Sequence, residues 1–372
     1  ITEKTVAILA PNLMGNLCDW PAIREIADRF NLIVIEDSAD TLGATINGQG
    51  SGSYSDMSIT SFYGSHIINC AGNGGALAIN DEKVMEKAKL LRSWGRSSSL
   101  FDEKGEAIEN RFNVDLDGID YDAKFVFETV GYNLEGNELG ASFGMVQLEK
   151  LDQNIASRQA NFERQCKFFD NYPDYFSNPQ ETHGCNTAWF VFPNLIKEGA
   201  PFTRKEFQIF LEKRNIQTRV VFTGNILRQP MCQNISKRVL EEGYPNADRV
   251  MARGVLLPLH HGMTESMFIR LHSTINKFIE QWDFTKSMMK MSDFVNFLSY
   301  KYNLKVDDTM KDFQEFVKEE HDNLRDTSLD DDWKTFMDKN ETKLNEEFNR
   351  KHEFQTSVRG LKLRGVFNTQ EE

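Results

Sequence analysis

Five cysteines are spread over 372 residues, and no two of them (Cys18, Cys70, Cys166, Cys185, Cys232) stand in a Cys-x-x-Cys or Cys-x-Cys pair. This lack argues against a thiolate metal ribbon or a redox motif and predicts free thiols in a reducing, cytoplasmic setting. The seven histidines show no metal-ligand spacing, and His260-His261 reads as a loop pair. No apolar run reaches the length of a membrane span, and no signal peptide is recognised. Excess positive charge is missing too. A net charge of −13 argues against nucleic acid or an anionic membrane as partner. A few local arginines would still suffice for a nucleotide diphosphate. One further absence is local: no lysine occurs between Glu36-Asp37 and Gly74-Gly75.

What is present reads as α/β. The segment TVAILAP is a strand, Asp19 precedes a helix WPAIREIADRF, and NLIVIED, MSITSF and GALAIN are strands. Short apolar strands alternating with helices predict a mainly parallel sheet, with ligands outside the carboxyl ends of its strands. A helix over 82–100 ends near Trp94-Gly95-Arg96, and 101–125 reads as polar and irregular. One helix over roughly 136–175 bridges to a smaller domain with strands AWFVFP and QTRVVF and a helix FTRKEFQIFLEKR. The expected boundaries are 1–150 for a large domain, 151–286 for a small one and 287–372 for a tail. That tail has no proline, is rich in Asp, Glu, Lys and Phe, and reads as amphipathic helices. A helical cap or a partner-binding tail both fit it. No internal repeat is found. The chain begins with Ile1, not Met, and its first element, TVAILAP, already reads as a core strand, so a preceding segment is expected.

Two strand ends carry candidate chemistry. An apolar strand ends in Asp37, and a second ends in Ser61-Phe62-Tyr63, followed by His66 and the backbone of Gly72, Gly74 and Gly75. In a pyridoxal-phosphate enzyme a strand-end Asp pairs with the pyridinium nitrogen, a Ser holds the phosphate, and a Lys forms the Schiff base. Here the lysine position holds His66. A strand-end carboxyl or hydroxyl also caps turns, so each residue alone is weak.

The motifs IEDSADTLGA (35–44), SFYGSH (61–66), LRSWGR (91–96), VGYNLEGNELGASFGMVQLEKLD (130–152), SRQANF (157–162), WFVFP (189–193) and TRVVFTGNILRQP (218–230) run in order over about 1–285. Together they resemble the DegT/DnrJ/EryC1/StrS aminotransferase family, and within it the branch of CDP-4-keto-6-deoxyglucose 3-dehydrases. The resemblance implies the pyridoxal-phosphate-dependent transferase fold type I, aspartate aminotransferase-like, with an incomplete large domain, a small C-terminal α/β domain and a helical tail.

It also implies roles. Asp37 keeps the ring nitrogen of the cofactor protonated, Ser61 holds its phosphate, and Asp40 meets the ring hydroxyl or solvent. His66 acts as general acid/base in place of the lysine. The cofactor would then be pyridoxamine 5'-phosphate, held non-covalently, exchanging with pyridoxal 5'-phosphate. Asn133 supplies a phosphate contact to the opposite subunit, which implies a homodimer with a shared site. The run Glu135-Gly136-Asn137 departs from the family's usual basic or polar pattern. Arg219 and Arg228 are candidates for the substrate's diphosphate. Ala39 and Ser97-Ser98-Ser99 stand where cluster-bearing relatives have cysteines, so no iron–sulfur cluster is expected. The implied reaction is C3 dehydration of a nucleotide-linked 4-keto-6-deoxyhexose for a surface polysaccharide. Two rivals stay open: a nucleotide-sugar aminotransferase, which the missing lysine disfavours, and a non-catalytic remnant serving as a structural or interaction module.

Overall fold

Asp19 prepares the first helix. Its side chain accepts the Ala22 N–H at 3.2 Å, Pro21 lies in the first turn, where its missing N–H costs nothing, and Asn31 closes the far end in the left-handed region. This helix, α1 (Trp20–Phe30), connects two parallel strands, β1 (Ala7–Pro11) and β2 (Ile33–Asp37). A small hairpin follows, β3 (Thr45–Ile46) with β4 (Gln49–Gly50). Then β5 (Met57–Ser61) joins β2 in parallel, and β6 (Gly75–Ile79) closes the sheet antiparallel, in the order β1-β2-β5-β6. The computed structural model of the chain describes residues 1–101, 108–112 and 114–282. The tail expected over 287–372 lies outside the described residues. Residues 1–282 form one compact unit.

Alternation along β2 decides which carboxyl goes where. Val34 and Glu36 face α1, where Val34 packs with Leu17, Trp20, Ala27 and Leu32. Ile33, Ile35 and Asp37 point to the opposite face. The register puts Leu9, Ile35, Met57 and Ile79 in one row and Pro11, Asp37, Ile59 and Leu77 in the next. This second face is apolar and open: Leu9 is 65% exposed, and Ile33, Ile59 and Leu77 are exposed as well. Parallel sheets normally bury both faces.

The next helix, α2 (Glu82–Arg92), stops just ahead of Trp94 and Gly95, both in the left-handed region. After α3 (Ile108–Arg111), part of the stretch expected to be irregular forms a hairpin, β7 (Val114–Leu116) with β8 (Ile119–Tyr121). Asp117 and Gly118 both take positive φ, which is the two-residue turn that matches strand twist.

The single helix expected over 136–175 is two. The chain turns at Glu149-Lys150 between α4 (Glu138–Leu148) and α5 (Leu151–Phe169). The halves bury against different partners. Helix α4 is apolar nearly all round, and its Gly140 and Gly144 face the Cys70 loop, where a Cβ on Gly144 would overlap the Cys70 sulfur. Gly144→Val is therefore expected to lower stability by roughly 1–3 kcal/mol, read as a lower urea midpoint. Helix α5 is amphipathic and buries Arg158, Gln165 and Phe169.

The C-terminal core is aromatic. It contains β9 (Phe176–Ser177), β10 (Cys185–Asn186, paired with β3), β11 (Phe192–Ile196), α6 (Arg204–Glu212), β12 (Arg219–Val220), α7 (Pro245–Arg253), β13 (Gly254–Leu257) and a helical stretch over 265–282. An antiparallel sheet, β12-β13-β11-β9, buries Phe169, Phe176, Phe192, Phe207 and Phe278 together. Burying each such side chain stabilises by about 1.5–3 kcal/mol. Thr203 and Glu206 form a reciprocal capping box at the start of α6. The strand expected at 188–193 starts only at Phe192, because Trp189 takes a left-handed φ of 46°.

Candidate active site

Asp37 and Ser61 end neighbouring strands and share the open face of the sheet. Asp37 accepts the Ala39 N–H at 3.2 Å, and Ser61 Oγ accepts the Tyr63 N–H at 3.2 Å. Beyond Ser61 the loop closes on itself: Phe62 N donates to Gly74 O, Cys70 N to Phe62 O, and His66 N to Tyr63 O. That fold-back carries His66 over the end of β2. Its Nδ1 comes 3.5 Å from Asp40 Oδ1, with both side chains largely buried. Asp40 Oδ2 accepts the Met14 N–H at 3.1 Å. The Phe190 ring stacks on the His66 ring, centroids 5.0 Å apart and planes at 27°.

Burial is the main reason His66 titrates below its usual range. The Ala39 backbone opposes that shift, the Arg158 charge adds to it, and Asp37 opposes it. A neutral imidazole with a free lone pair is what proton abstraction needs. Asp40 moves the other way. Burial pushes its carboxyl up to about 6, against the Met14 hydrogen bond, with Asp37 adding to the rise. A folded-state value above the ordinary 3.8 means that the native protein holds a proton the unfolded chain has released. Asp40 therefore contributes stability below about pH 4, and that contribution is lost as pH rises to about 6. Asp40→Asn is expected to flatten this window, so that the variant gains on the parent between urea unfolding at pH 4 and at pH 7.

The loop over 11–16 braces the site. Met14 takes a left-handed φ of 61°, and its carbonyl accepts the Phe190 N–H at 2.9 Å. Gly15, at φ 96°, has no room for a side chain: a Cβ would stand 2.7 Å from both Trp189 Cα and Phe190 N. On the flank of this loop lies a cavity of about 580 Å³ bounded by Pro11, Met14, Trp189 and Asn194. None of Asp37, Asp40, Ser61 and His66 lines it.

One carboxyl of the pair is structural. Glu36 is fully buried and accepts from Asn12 Nδ2 at 2.8 Å, Ser38 Oγ at 2.6 Å and Gly52 N at 2.8 Å. Asn12 in turn accepts from Trp20 Nε1 and Cys18 N.

The remaining candidates lie apart from this cluster. Asn133 is exposed and bridges to Ser93. Its neighbour Glu135 pairs with Arg92 and Ser93. Val130 is 91% exposed, and Tyr132 and Leu134 beside it are also exposed. Arg219 is exposed, with Nη1 on the Thr218 carbonyl. Arg228 forms a two-point ion pair with Asp248. Reading the sequence missed Phe190, Met14 and Arg158, although the WFVFP and SRQANF motifs contain two of them. Among the described residues, no group of three His, Cys, Asp or Glu side chains is placed to hold a metal ion.

A phosphopyridine fits this donor set: a carboxyl at one strand end, a hydroxyl at the next and an imidazole beside Asp40. The family model described as DegT/DnrJ/EryC1/StrS aminotransferase family matches residues 1–276. Lipopolysaccharide biosynthesis protein RfbH of Salmonella typhimurium is 32% identical over 282 residues, covering 75% of this chain and 63% of that protein. The dTDP-4-dehydro-2,6-dideoxy-D-glucose 3-dehydratase of Saccharopolyspora spinosa is 31% identical over 281 residues, covering 75% and 60%. Among solved structures, a variant of GDP-4-keto-6-deoxymannose-3-dehydratase with bound GDP-perosamine is similar at a TM-score of 0.65 and 27% identity, over 74% of this chain and 68% of that one. The chain thus spans less than two thirds of the length of these curated relatives.

Proposed function

This chain belongs to the DegT/DnrJ/EryC1/StrS aminotransferase family, and on that footing we propose that it serves C3 dehydration of a nucleotide-linked 4-keto-6-deoxyhexose, with His66 as the proton-transferring base. Its fold is that of the pyridoxal-phosphate-dependent transferases of fold type I. The observation that carries the reading is the largely buried imidazole of His66 where a lysine would stand, beside Asp40 and under Phe190.

Each side chain then has a task. Asp37 pairs with the protonated ring nitrogen, and Ser61 donates to the phosphate. His66, neutral because it is buried, takes a proton at one ring nitrogen and returns it at the leaving C3 hydroxyl. Pyridoxamine 5'-phosphate, when bound, supplies the amine and the electron sink. Arg219, which forms no salt bridge among the described residues although its charge reaches Glu212, is better placed for the diphosphate than Arg228, whose guanidinium is held by Asp248. Asn133 and the apolar stretch around Val130 suit a homodimer in which each subunit offers Asn133 to the other's phosphate. The product class is a 3-deoxysugar precursor of a surface polysaccharide.

The open sheet face favours the rival reading, a non-catalytic module. One experiment separates the readings: an absorbance spectrum of the purified chain with pyridoxal phosphate, then with glutamate. A pyridoxamine-type band that survives gel filtration and is not fixed by borohydride is the expected result. Borohydride-fixed cofactor would mean that another lysine serves the site and the protein is an aminotransferase. No retained cofactor would leave the module.

A further inference from the structure

Arg158 is 2% exposed, yet its charge meets no carboxylate among the described residues. Its Nη1 donates instead to three backbone carbonyls: Trp189 at 3.2 Å, Phe190 at 3.1 Å and Leu259 at 3.2 Å. Its Nε is buried without a partner. Burial alone lowers the guanidinium to about 10, so it stays charged at neutral pH. Burying an unpaired cation costs several kcal/mol, which charge-assisted bonds to carbonyls offset in part. An aliphatic side chain could fill the same space without that cost, so the cation's retention asks for a reason beyond packing.

Its three bonds supply one. Two consecutive carbonyls converge on one nitrogen, and the first of them belongs to Trp189, which lies in the left-handed region. The ring of the second residue, Phe190, stacks on His66. A closed circuit results. Arg158 holds the carbonyls of Trp189 and Phe190, Phe190 N–H donates to Met14 O, Met14 N–H donates to Asp40, and Asp40 faces His66, on which Phe190 stacks. Met14 and Trp189, both left-handed and neither a glycine, are the strained links. Such strain persists only where surrounding bonds over-determine the backbone.

We propose that Arg158 is the positioning residue of this site: by pinning the Trp189 and Phe190 carbonyls it holds the stacking partner of His66, and its buried charge acts on that imidazole. This rests on His66 being the base, as proposed above. The groups facing His66 are Asp37 and Asp40 from the end of β2, Tyr63 from its own loop at a ring distance of 6.3 Å, and Arg158 from α5. Arg158 also adds to the lowering of His260 and His261, after burial.

The test is a pH titration of His66 by NMR in the full chain with labelled histidine, the signal assigned by its loss in His66→Asn. Arg158→Gln removes the charge and is expected to raise the His66 midpoint measurably above the parent's. Arg158→Lys keeps the charge within reach of the same carbonyls and is expected to titrate as the parent. An unchanged midpoint in a folded Arg158→Gln protein overturns the proposal. So does an equal rise in both variants, which would assign the effect to packing. If Arg158→Gln does not fold, Phe190→Leu decides: it leaves the carbonyls in place, and the His66 signal is expected to lose its ring-current shift and move its midpoint. No change there would refute the arrangement. The titration needs no cofactor and no turnover, so its failure is distinct from failure of the dehydration reading, which only the absorbance experiment addresses.

Discussion

Replacing His66 with lysine is expected to make this chain capture pyridoxal phosphate covalently. The reason is local. The position sits at the end of the first sheet, largely buried and next to Asp37 and Asp40. Burial that disfavours a charged imidazole also disfavours a charged ammonium, so the new amine would be neutral enough to attack an aldehyde. The parent should release all its cofactor on denaturation after borohydride treatment, whereas His66→Lys should retain one cofactor mass per chain. Cofactor that binds the variant but is never fixed would mean that position 66 does not face the reacting carbon. The companion variant His66→Asn keeps shape and removes the base. It should bind cofactor normally while C3 dehydration falls roughly 10²–10⁴-fold, the usual contribution of a positioned general base.

The second large expectation concerns adjacent residues with opposite consequences. Glu36 and Asp37 are the same chemistry one residue apart, on opposite faces of β2. Glu36→Gln puts an amide NH₂ among donors and should cost roughly 1–3 kcal/mol of stability. Asn12→Ala strands Trp20 Nε1 and the Cys18 N–H and takes one of three donors from Glu36, and should cost roughly 3–5 kcal/mol. Asp37→Asn should leave urea unfolding nearly unchanged and weaken cofactor binding by roughly 2–5 kcal/mol, since it breaks a charge pair rather than a fold contact. Urea midpoints and cofactor titrations on the three variants check both halves. If Asp37→Asn unfolds the protein as readily as Glu36→Gln, the division of labour between the two faces is wrong.

Much of this was legible because it is local. Asp19 before an amphipathic run marks a helix start, and Thr203 with Glu206 marks another. The strands ending at Asp37 and Ser61 show as short apolar runs, and those ends are where the site assembles. The hairpin at 114–121 was missed, because the polarity around it hid the strands, although Asp117-Gly118 between Leu116 and Ile119 is a turn signal. The break at Glu149-Lys150 was not legible, because no proline or glycine marks it and only the different burial of α4 and α5 produces it. Asn12 is a lone amide after a strand, and its five partners lie between Cys18 and Thr41. Arg158 draws its partners from 31, 32 and 101 residues further on. No periodicity encodes such distances, so a residue that fixes the candidate site through the backbone of other elements shows only in three dimensions.

The open side of the first sheet has a practical consequence. Leu9, Ile59 and Leu77 form a water-facing apolar plane, and Leu139 on α4 is 84% exposed. A surface of that kind binds hydrophobic dyes in the native state and drives self-association at concentrations where ordinary proteins stay dispersed. A dye-based melting curve of this chain would start bright and fall, and a yield-based mutant screen would rank substitutions by how they change that plane. Variants such as Leu9→Lys or Leu77→Glu would score as improvements in such a screen without touching His66. Work on the chemistry is therefore best normalised to monodisperse protein, with light scattering recorded beside every spectrum.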